Sequence, residues 1–228
     1  MDHEAKRTRR DAARRLVEEM GVDGLDDAAL REGRVPGQET VDALYDEWLP
    51  ADLWACVAQT APACGGPSNC RDRCTAEYWR AHCRDVGSNM GRLARELGED
   101  EELWRFTGLV HDLDYLRGMH HDPSAPSDRA HPLGIARRMH ELGAPPVAVL
   151  AVLEHSPHLG MEPSSRLSHA LVACDEHATM TAEGQPTTYP DDIPKRILSC
   201  VEDSPATVDG FTRGNMQERA TAGFRALA

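Results

Sequence analysis

The spacing of apolar residues along this chain is typical of helices. Within residues 39–59, Val41, Leu44 and Trp48 recur at intervals of three or four positions, which places them on one face of an α-helix. Pro50 interrupts this run, because proline removes a backbone donor and clashes with the preceding turn. The pattern therefore predicts an amphipathic helix with a kink or a break at Pro50.

The same periodicity continues to the C-terminus, with breaks at glycine and proline. Gly98 is predicted to end one helix as its C-cap, and Asp100 to begin the next. No alternating strand pattern of useful length and no internal repeat is present, so the predicted fold class is all-α. The predicted helices span 4–20, 39–59, 75–98, 100–112, 130–142, 145–156, 164–178, 193–201 and 214–226.

The composition and charge of the chain argue against two classes of binding partner, nucleic acids and membranes. The chain has 228 residues and a formal net charge of -13, and such an acidic surface repels nucleic acid and anionic membranes. No segment approaches the roughly 20 apolar residues of a membrane helix, and the N-terminus lacks the apolar core of a secretory signal. We therefore expect a cytoplasmic protein with a small-molecule substrate and no nucleic acid or membrane partner. Lys6 and Lys195 are the only lysines, so arginine is the expected anion-binding residue.

Six side chains of the types that bind divalent metals fall on consecutive predicted helices, mostly near their ends. Facing helices of a bundle can project such residues into a shared centre. Imidazole and carboxylate suit iron, manganese and other divalent ions alike, so the sequence leaves the metal open, magnesium included. The six candidate ligands are His82, His111, Asp112, His131, His155 and Asp175.

The order of these residues resembles the HD superfamily of metal-dependent phosphohydrolases. TGLVHDLDY at 107–115 resembles its central motif, and HALVACDEHA at 169–178 resembles the helix that carries the last aspartate. AHPLGIA and VLEHS match the two extra histidines of members with two metals. The resemblance implies an HD helical bundle over residues 76–228, preceded by an N-terminal helical extension over 1–75. It also implies two metal ions bridged by Asp112.

The sequence departs from the family pattern directly after the His-Asp pair. Many relatives place Gly-Lys where Asp114 and Tyr115 stand here, and the lysine helps to bind phosphate or substrate in those relatives. We assign catalytic roles to Asp112 and Asp114. Asp114 either orients a ligand histidine or a catalytic water, or faces solvent. The candidate substrate-binding residues are Arg84, Tyr115, Arg117, Arg129, Arg137, Arg138 and His158.

Several neighbours of the candidate ligands are expected to have no role in the site. Glu154 and Glu176 flank ligands in sequence, which turns them away on a helix, so both are expected to be solvated. His177 is interpreted as a surface residue. Cys83, Cys174 and Cys200 are interpreted as small apolar core residues.

Four further cysteines lie in or next to a turn-rich loop. Thiolate quartets bind zinc or iron–sulfur clusters, but the spacing here differs from the paired knuckle of zinc sites. Free thiols, with one cysteine in the core, and a Cys64–Cys70 disulfide are the alternatives. The four cysteines are Cys56, Cys64, Cys70 and Cys74.

Three functions are compatible with these observations. The first is hydrolysis of a small-molecule or nucleotide phosphoester, in which two metals lower the pKa of a bound water so that it attacks as hydroxide. The second is a mixed-valent di-iron oxygenase that cleaves a C–C or C–P bond of a small polar metabolite with dioxygen. The third is a non-catalytic sensor that binds a ligand in the HD bundle. Residues 1–75 are open to interpretation as a lid, a homodimer contact or an accessory metal module.

Overall fold

The structure, a computed structural model, describes residues 3–50, 75–116, 130–205 and 215–228. Within these residues the chain is all-α, as predicted, and strands are absent from the described part. The helices are α1 (His3–Met20), α2 (Asp27–Leu30), α3 (Gln38–Trp48), α4 (Ala76–Leu97), α5 (Glu101–Val110), α6 (Leu133–Glu141), α7 (Pro146–His155), α8 (Arg166–Ala182), α9 (Lys195–Leu198) and α10 (Met216–Ala226).

Local sequence signals define the ends of the two central helices. The Thr75 hydroxyl accepts a hydrogen bond from the Tyr78 amide at 3.0 Å at the start of α4. Gly98 ends α4 with φ of 70°, a left-handed conformation that favours glycine. The Asp100 carboxylate accepts from the Leu103 amide at 3.0 Å and begins α5. These boundaries confirm the predicted ones.

Helices α4 and α5 pack together over the most extensive interface between described elements. At their crossing the two backbones meet at glycines: a methyl group on Gly108 would lie 2.7 Å from the Gly87 Cα atom. Such a separation leaves no room for a side chain. The close approach carries His82, on α4, to within 5.3 Å of His111, measured between ring centroids.

Helix α7 lies in the centre of the fold. Its sequence, PVAVLAVLEH, is apolar on nearly all faces, and a helix of that kind is stable only when other elements surround it. It contacts α5, α6 and α8. This burial places His155, at its C-terminal end, inside the protein with 3% of its surface exposed.

The N-terminal and C-terminal helices pack on the same hydrophobic core. Leu16 of α1 and Leu44 of α3 are buried, with α1 against α6 and α7 and α3 against α5. Helix α10 packs on α8 through Ala220 and Phe224, which are fully buried. The division of the chain at residue 75 stays a prediction.

Three predicted elements differ from the observed ones. Helix α3 ends at Trp48, just before Pro50, and the rest of the predicted 39–59 helix lies outside the described residues from 51 onward. The helix predicted over 193–201 is a single turn, α9, which begins after Pro194 and ends at Leu198. Conversely, α8 continues to Ala182, because the apolar pattern extends past residue 178. Within the described ranges, no helix is long and apolar enough to cross a membrane.

Candidate metal centre

The structure brings all six candidate ligands together. His82 comes from α4, His111 and Asp112 follow α5, and His131 precedes α6. His155 ends α7 and Asp175 lies in α8. The four histidines and Asp112 are at most 4% exposed, so the cluster lies within the bundle.

Four of the six residues form one group of converging ligand atoms. The Nε2 atom of His82 lies 3.2 Å from Asp175 Oδ1 and 3.6 Å from Asp112 Oδ2. His111 Nε2 lies 3.6 Å from the same Asp112 oxygen and 3.7 Å from Asp175 Oδ1. All four ligand atoms lie within 4.8 Å of one another. The group can therefore surround one cation.

The second group shares Asp112 with the first. The other oxygen of Asp112, Oδ1, lies 3.4 Å from His131 Nε2 and 3.2 Å from His155 Nε2. The two oxygens of a single carboxylate thus face two different sets of imidazoles. This arrangement suits a carboxylate that bridges two cations.

The hydrogen bonds of three histidines determine which ring nitrogen is free. His111 Nδ1 donates to the Gly108 carbonyl at 2.8 Å, and His155 Nδ1 donates to the Val152 carbonyl at 2.6 Å. His131 Nδ1 donates to Asp114. Because these partners only accept, each Nδ1 carries the proton, and in a neutral ring Nε2 presents a lone pair.

These lone pairs point at acceptors instead of donors. Each of the three Nε2 atoms lies within 3.6 Å of an Asp112 oxygen, and two lone pairs facing each other repel. The Nε2 atoms of His82 and His111 are buried with no hydrogen-bond partner in the described part of the chain. A cation or an added proton between nitrogen and oxygen removes the conflict, so the residues fit bound metal ions.

The pKa values of the cluster reflect the same conflict. Burial alone would lower the pKa of His111, but the Asp112 and Asp175 carboxylates raise it well above its ordinary value. The pKa of His131 is likewise raised, against burial, by Asp112 and Asp114. Burial lowers the pKa of His155. The carboxylates therefore favour a positive charge at His111 and His131, which either a proton or a metal ion can supply.

Asp114 supports the cluster from behind. It is fully buried, and its two oxygens accept from His131 Nδ1 at 2.8 Å and from the Ile135 amide at 2.9 Å. Of the two interpretations of Asp114, the solvent-facing one is therefore wrong. A carboxylate behind a ligand imidazole orients the ring and increases its basicity.

A small cavity of about 30 Å³ adjoins the ligands. On one wall the Trp79 and Tyr115 rings stack with centroids 4.0 Å apart, and Tyr115 lies 4.9 Å from His131. His158, a candidate substrate residue, also lines the cavity. The lining residues are Trp79, Asp112, Tyr115, His131, His155, Ser156, Pro157, His158, Asp175, Glu176, Thr179 and Arg219.

Three of the candidate substrate-binding arginines lie elsewhere. The Arg84 guanidinium lies over the Tyr45 ring, with its Cζ atom 5.6 Å from the centroid. Arg137 pairs with Glu19 at 3.0 Å, and Arg138 with Glu141 and Glu47, each at 3.5 Å. None of the three lines the cavity, because each side chain is held by an outer helix. Arg117, Arg129 and the cysteines Cys56, Cys64, Cys70 and Cys74 lie outside the described residues.

Three expectations about the neighbours of the ligands are wrong. Glu154 is 5% exposed and accepts from the amide and the hydroxyl of Ser164 at 2.9 and 2.6 Å. His177 is 3% exposed and hydrogen-bonds the Tyr189 hydroxyl at 2.8 Å. Glu176 is 4% exposed because Arg219, on α10, reaches it. By contrast, Cys83, Cys174 and Cys200 are buried as predicted.

Arg219 lines the cavity but was not among the predicted site residues. A signal was present: Met216, Ala220 and Phe224 form the buried face of α10, and residue 219 borders that face at helical spacing. The signal becomes informative only when α10 is known to pack beside the ligands.

Four imidazoles and two carboxylates converge inside an all-α bundle, an arrangement typical of metal-binding helical proteins. Residues 79–183 match the family model of the HD domain. The matched segment contains all six candidate ligands, so these residues form an HD domain. HD domains are in general metal-dependent hydrolases. A search of curated proteins and a search of solved structures found no significant match.

Proposed function

We propose that this protein is a dinuclear metal-dependent phosphohydrolase. The position of Asp112 carries the proposal: one of its oxygens faces His82 and His111, and the other faces His131 and His155. A site for a single metal would not need a carboxylate between two sets of imidazoles.

Each proposed metal has its own ligands. His82, His111, Asp112 and Asp175 would hold one ion, and Asp112, His131 and His155 would hold the other. When bound, two such ions neutralise charge on a phosphoryl group and make an adjacent water nucleophilic at neutral pH.

The chain's own residues supply the orientation. The carbonyls of Gly108 and Val152 and the carboxylate of Asp114 hold three ligand imidazoles with Nε2 toward the centre. The stacked Trp79 and Tyr115 rings form an apolar wall that limits the access of water from one side. Fixed ligands need no rearrangement as charge develops in the transition state.

The size of the cavity limits which part of the substrate can reach the metals. The volume of about 30 Å³ leaves little room for substrate directly beside the ligands. We therefore expect the substrate, a small-molecule or nucleotide phosphoester, to present only its phosphoryl group to the metals. The remainder of the substrate would lie toward the opening of the cavity, beside His158 and Pro157.

A di-iron oxygenase is the second candidate, and Tyr115 is the observation that favours it. At the position where many relatives carry the lysine, this chain has Tyr115, whose ring stacks on Trp79 and lies 4.9 Å from His131. Four imidazoles and two carboxylates also suit iron. Substrate-dependent oxygen uptake by iron-loaded protein is the measurement that supports this candidate.

The test of hydrolysis begins with elemental analysis of protein purified without added metal or chelator. We expect two divalent ions per chain and turnover of at least one member of a phosphoester panel. Asp112→Asn should reduce metal content to one ion or none and abolish turnover, because the amide removes the shared negative charge. Asp192→Asn, an exposed carboxylate paired with Arg225, is the matched control and should leave both unchanged. A metal-replete and active Asp112→Asn variant would exclude the proposed site.

A further inference from the structure

Helix α10 lies outside the residues that match the HD domain, yet it reaches the ligands through Arg219. The guanidinium donates from Nη1 to the Glu176 carboxylate and from Nη2 to the backbone carbonyl of His155. Glu176 adjoins Asp175 in sequence, and His155 is itself a candidate ligand. Arg219 is thus held at the edge of the proposed metal centre by two directed contacts.

The remaining donors of Arg219 are available to a ligand. A guanidinium has five N–H groups, and the side chain is 21% exposed and lines the cavity. Among the cavity-lining residues that the structure describes, it is the one arginine or lysine. Glu176 holds one edge of the planar group and leaves other N–H groups free to meet an oxyanion, for which guanidinium geometry is suited.

Two further donors on the cavity residues lack protein partners. The Ser156 hydroxyl and the Trp79 indole N–H are buried and have no hydrogen-bond partner among the described residues. Ser156 is 2% exposed and Trp79 is 6% exposed, and both residues line the cavity. An indole N–H can only donate, and leaving it or a buried hydroxyl unpaired is unfavourable. Both groups therefore fit a ligand that presents acceptor oxygens.

We propose that Arg219, Ser156 and Trp79 form a subsite that binds the non-reacting phosphoryl oxygens of the substrate. The inference rests on the proposed function, since it assigns residues to the substrate of that site. The arginine of α10 then supplies the positive charge that no lysine provides in this chain. The C-terminal helix would accordingly be part of the active site, although it lies beyond the HD-domain match.

The test is binding of inorganic phosphate to the metal-saturated full chain, measured by isothermal titration calorimetry, with metal content determined in parallel. Arg219→Gln alone would leave the buried Glu176 carboxylate without the positive charge of Arg219, so the informative variant is the double change Arg219→Gln/Glu176→Gln. We expect phosphate affinity to fall about 10- to 100-fold, the range for losing a charged hydrogen bond. Glu176→Gln alone should retain binding. Arg225→Gln, on the exposed side of the same helix, is the matched control and should match wild type.

The two neutral donors have matched controls of their own. Ser156→Ala should weaken phosphate binding about 2- to 10-fold. Ser204→Ala removes a buried hydroxyl that has no partner among the described residues and lies away from the cavity, so it should have no effect. Trp79→Phe is compared in the same way with Trp104→Phe, a buried core tryptophan.

Either of two outcomes would overturn the subsite: wild-type affinity in the double variant, or a loss of phosphate binding that tracks a loss of metal. The second outcome would mean that Arg219 acts only by holding His155. Failure of the proposed function can be distinguished from failure of the subsite. If no phosphoester is hydrolysed but phosphate binding still depends on Arg219, the subsite is supported and hydrolysis is not.

Discussion

The crossing of α4 and α5 offers a sharp test of how the fold positions the ligands. Gly108→Ala places a methyl group 2.7 Å from the Gly87 Cα atom and 2.8 Å from its nitrogen, where ordinary carbon contacts are about 3.5–4.0 Å. Both obstacles are backbone atoms, so the helices themselves must separate.

The magnitude follows from two opposing effects. Overpacking of this kind destabilises by up to about 3 kcal/mol, while alanine exceeds glycine in helix propensity by about 1 kcal/mol. We therefore expect Gly108→Ala to lower the free energy of unfolding by about 2 kcal/mol. In a chain of this size, that corresponds to a fall in Tm of roughly 4–8 °C.

Gly91→Ala on α4 is the matched control. Its methyl group would lie 3.5 Å from the Arg105 side chain, an ordinary contact, so only the propensity gain of about 1 kcal/mol remains. Its Tm should rise by roughly 2–4 °C. Both variants are measured by thermal unfolding of the metal-free protein.

Metal binding by the two glycine variants should change in the same order as their stability. Separating the helices moves His82 from His111, so Gly108→Ala should also weaken metal binding in a chelator competition, while Gly91→Ala should not. A Gly108→Ala protein that is as stable as Gly91→Ala, or that keeps full metal affinity, would show that the glycine contact does not position the ligands.

Two further predictions concern the support of the ligands and their protons. Asp114→Asn should weaken metal binding by roughly 10- to 100-fold in a chelator competition. His131 and Ile135 donate to separate oxygens of Asp114, so the amide NH2 would face one of these two donors; unchanged affinity would refute this role. Metal affinity should also rise with pH and continue to rise above about 6.5, the ordinary histidine pKa, since the raised pKa values of His111 and His131 mean that metal must still displace protons there. Proton release on metal addition, followed in weakly buffered solution, tests the direction of this pH dependence. A metal affinity that does not change with pH would contradict the prediction.

Much of the fold could be predicted from the sequence because its signals are local. Thr75, Gly98 and Asp100 end or begin helices through contacts within one turn, and the apolar period identifies each buried face. The six candidate ligands were also predictable, since imidazoles and carboxylates fall in order on consecutive predicted helices and resemble the HD pattern.

Only the tertiary structure decided what surrounds those ligands. Whether Glu176 faces solvent depends on Arg219, 43 residues further along the chain, and no local pattern specifies that α10 packs on α8. The same holds for Arg84 and Arg137, whose charges are directed outward by partners on other helices. The sequence alone thus determined which residues can hold metal, while helix packing decided which charges are buried beside them, because burial depends on contacts between segments far apart in the chain.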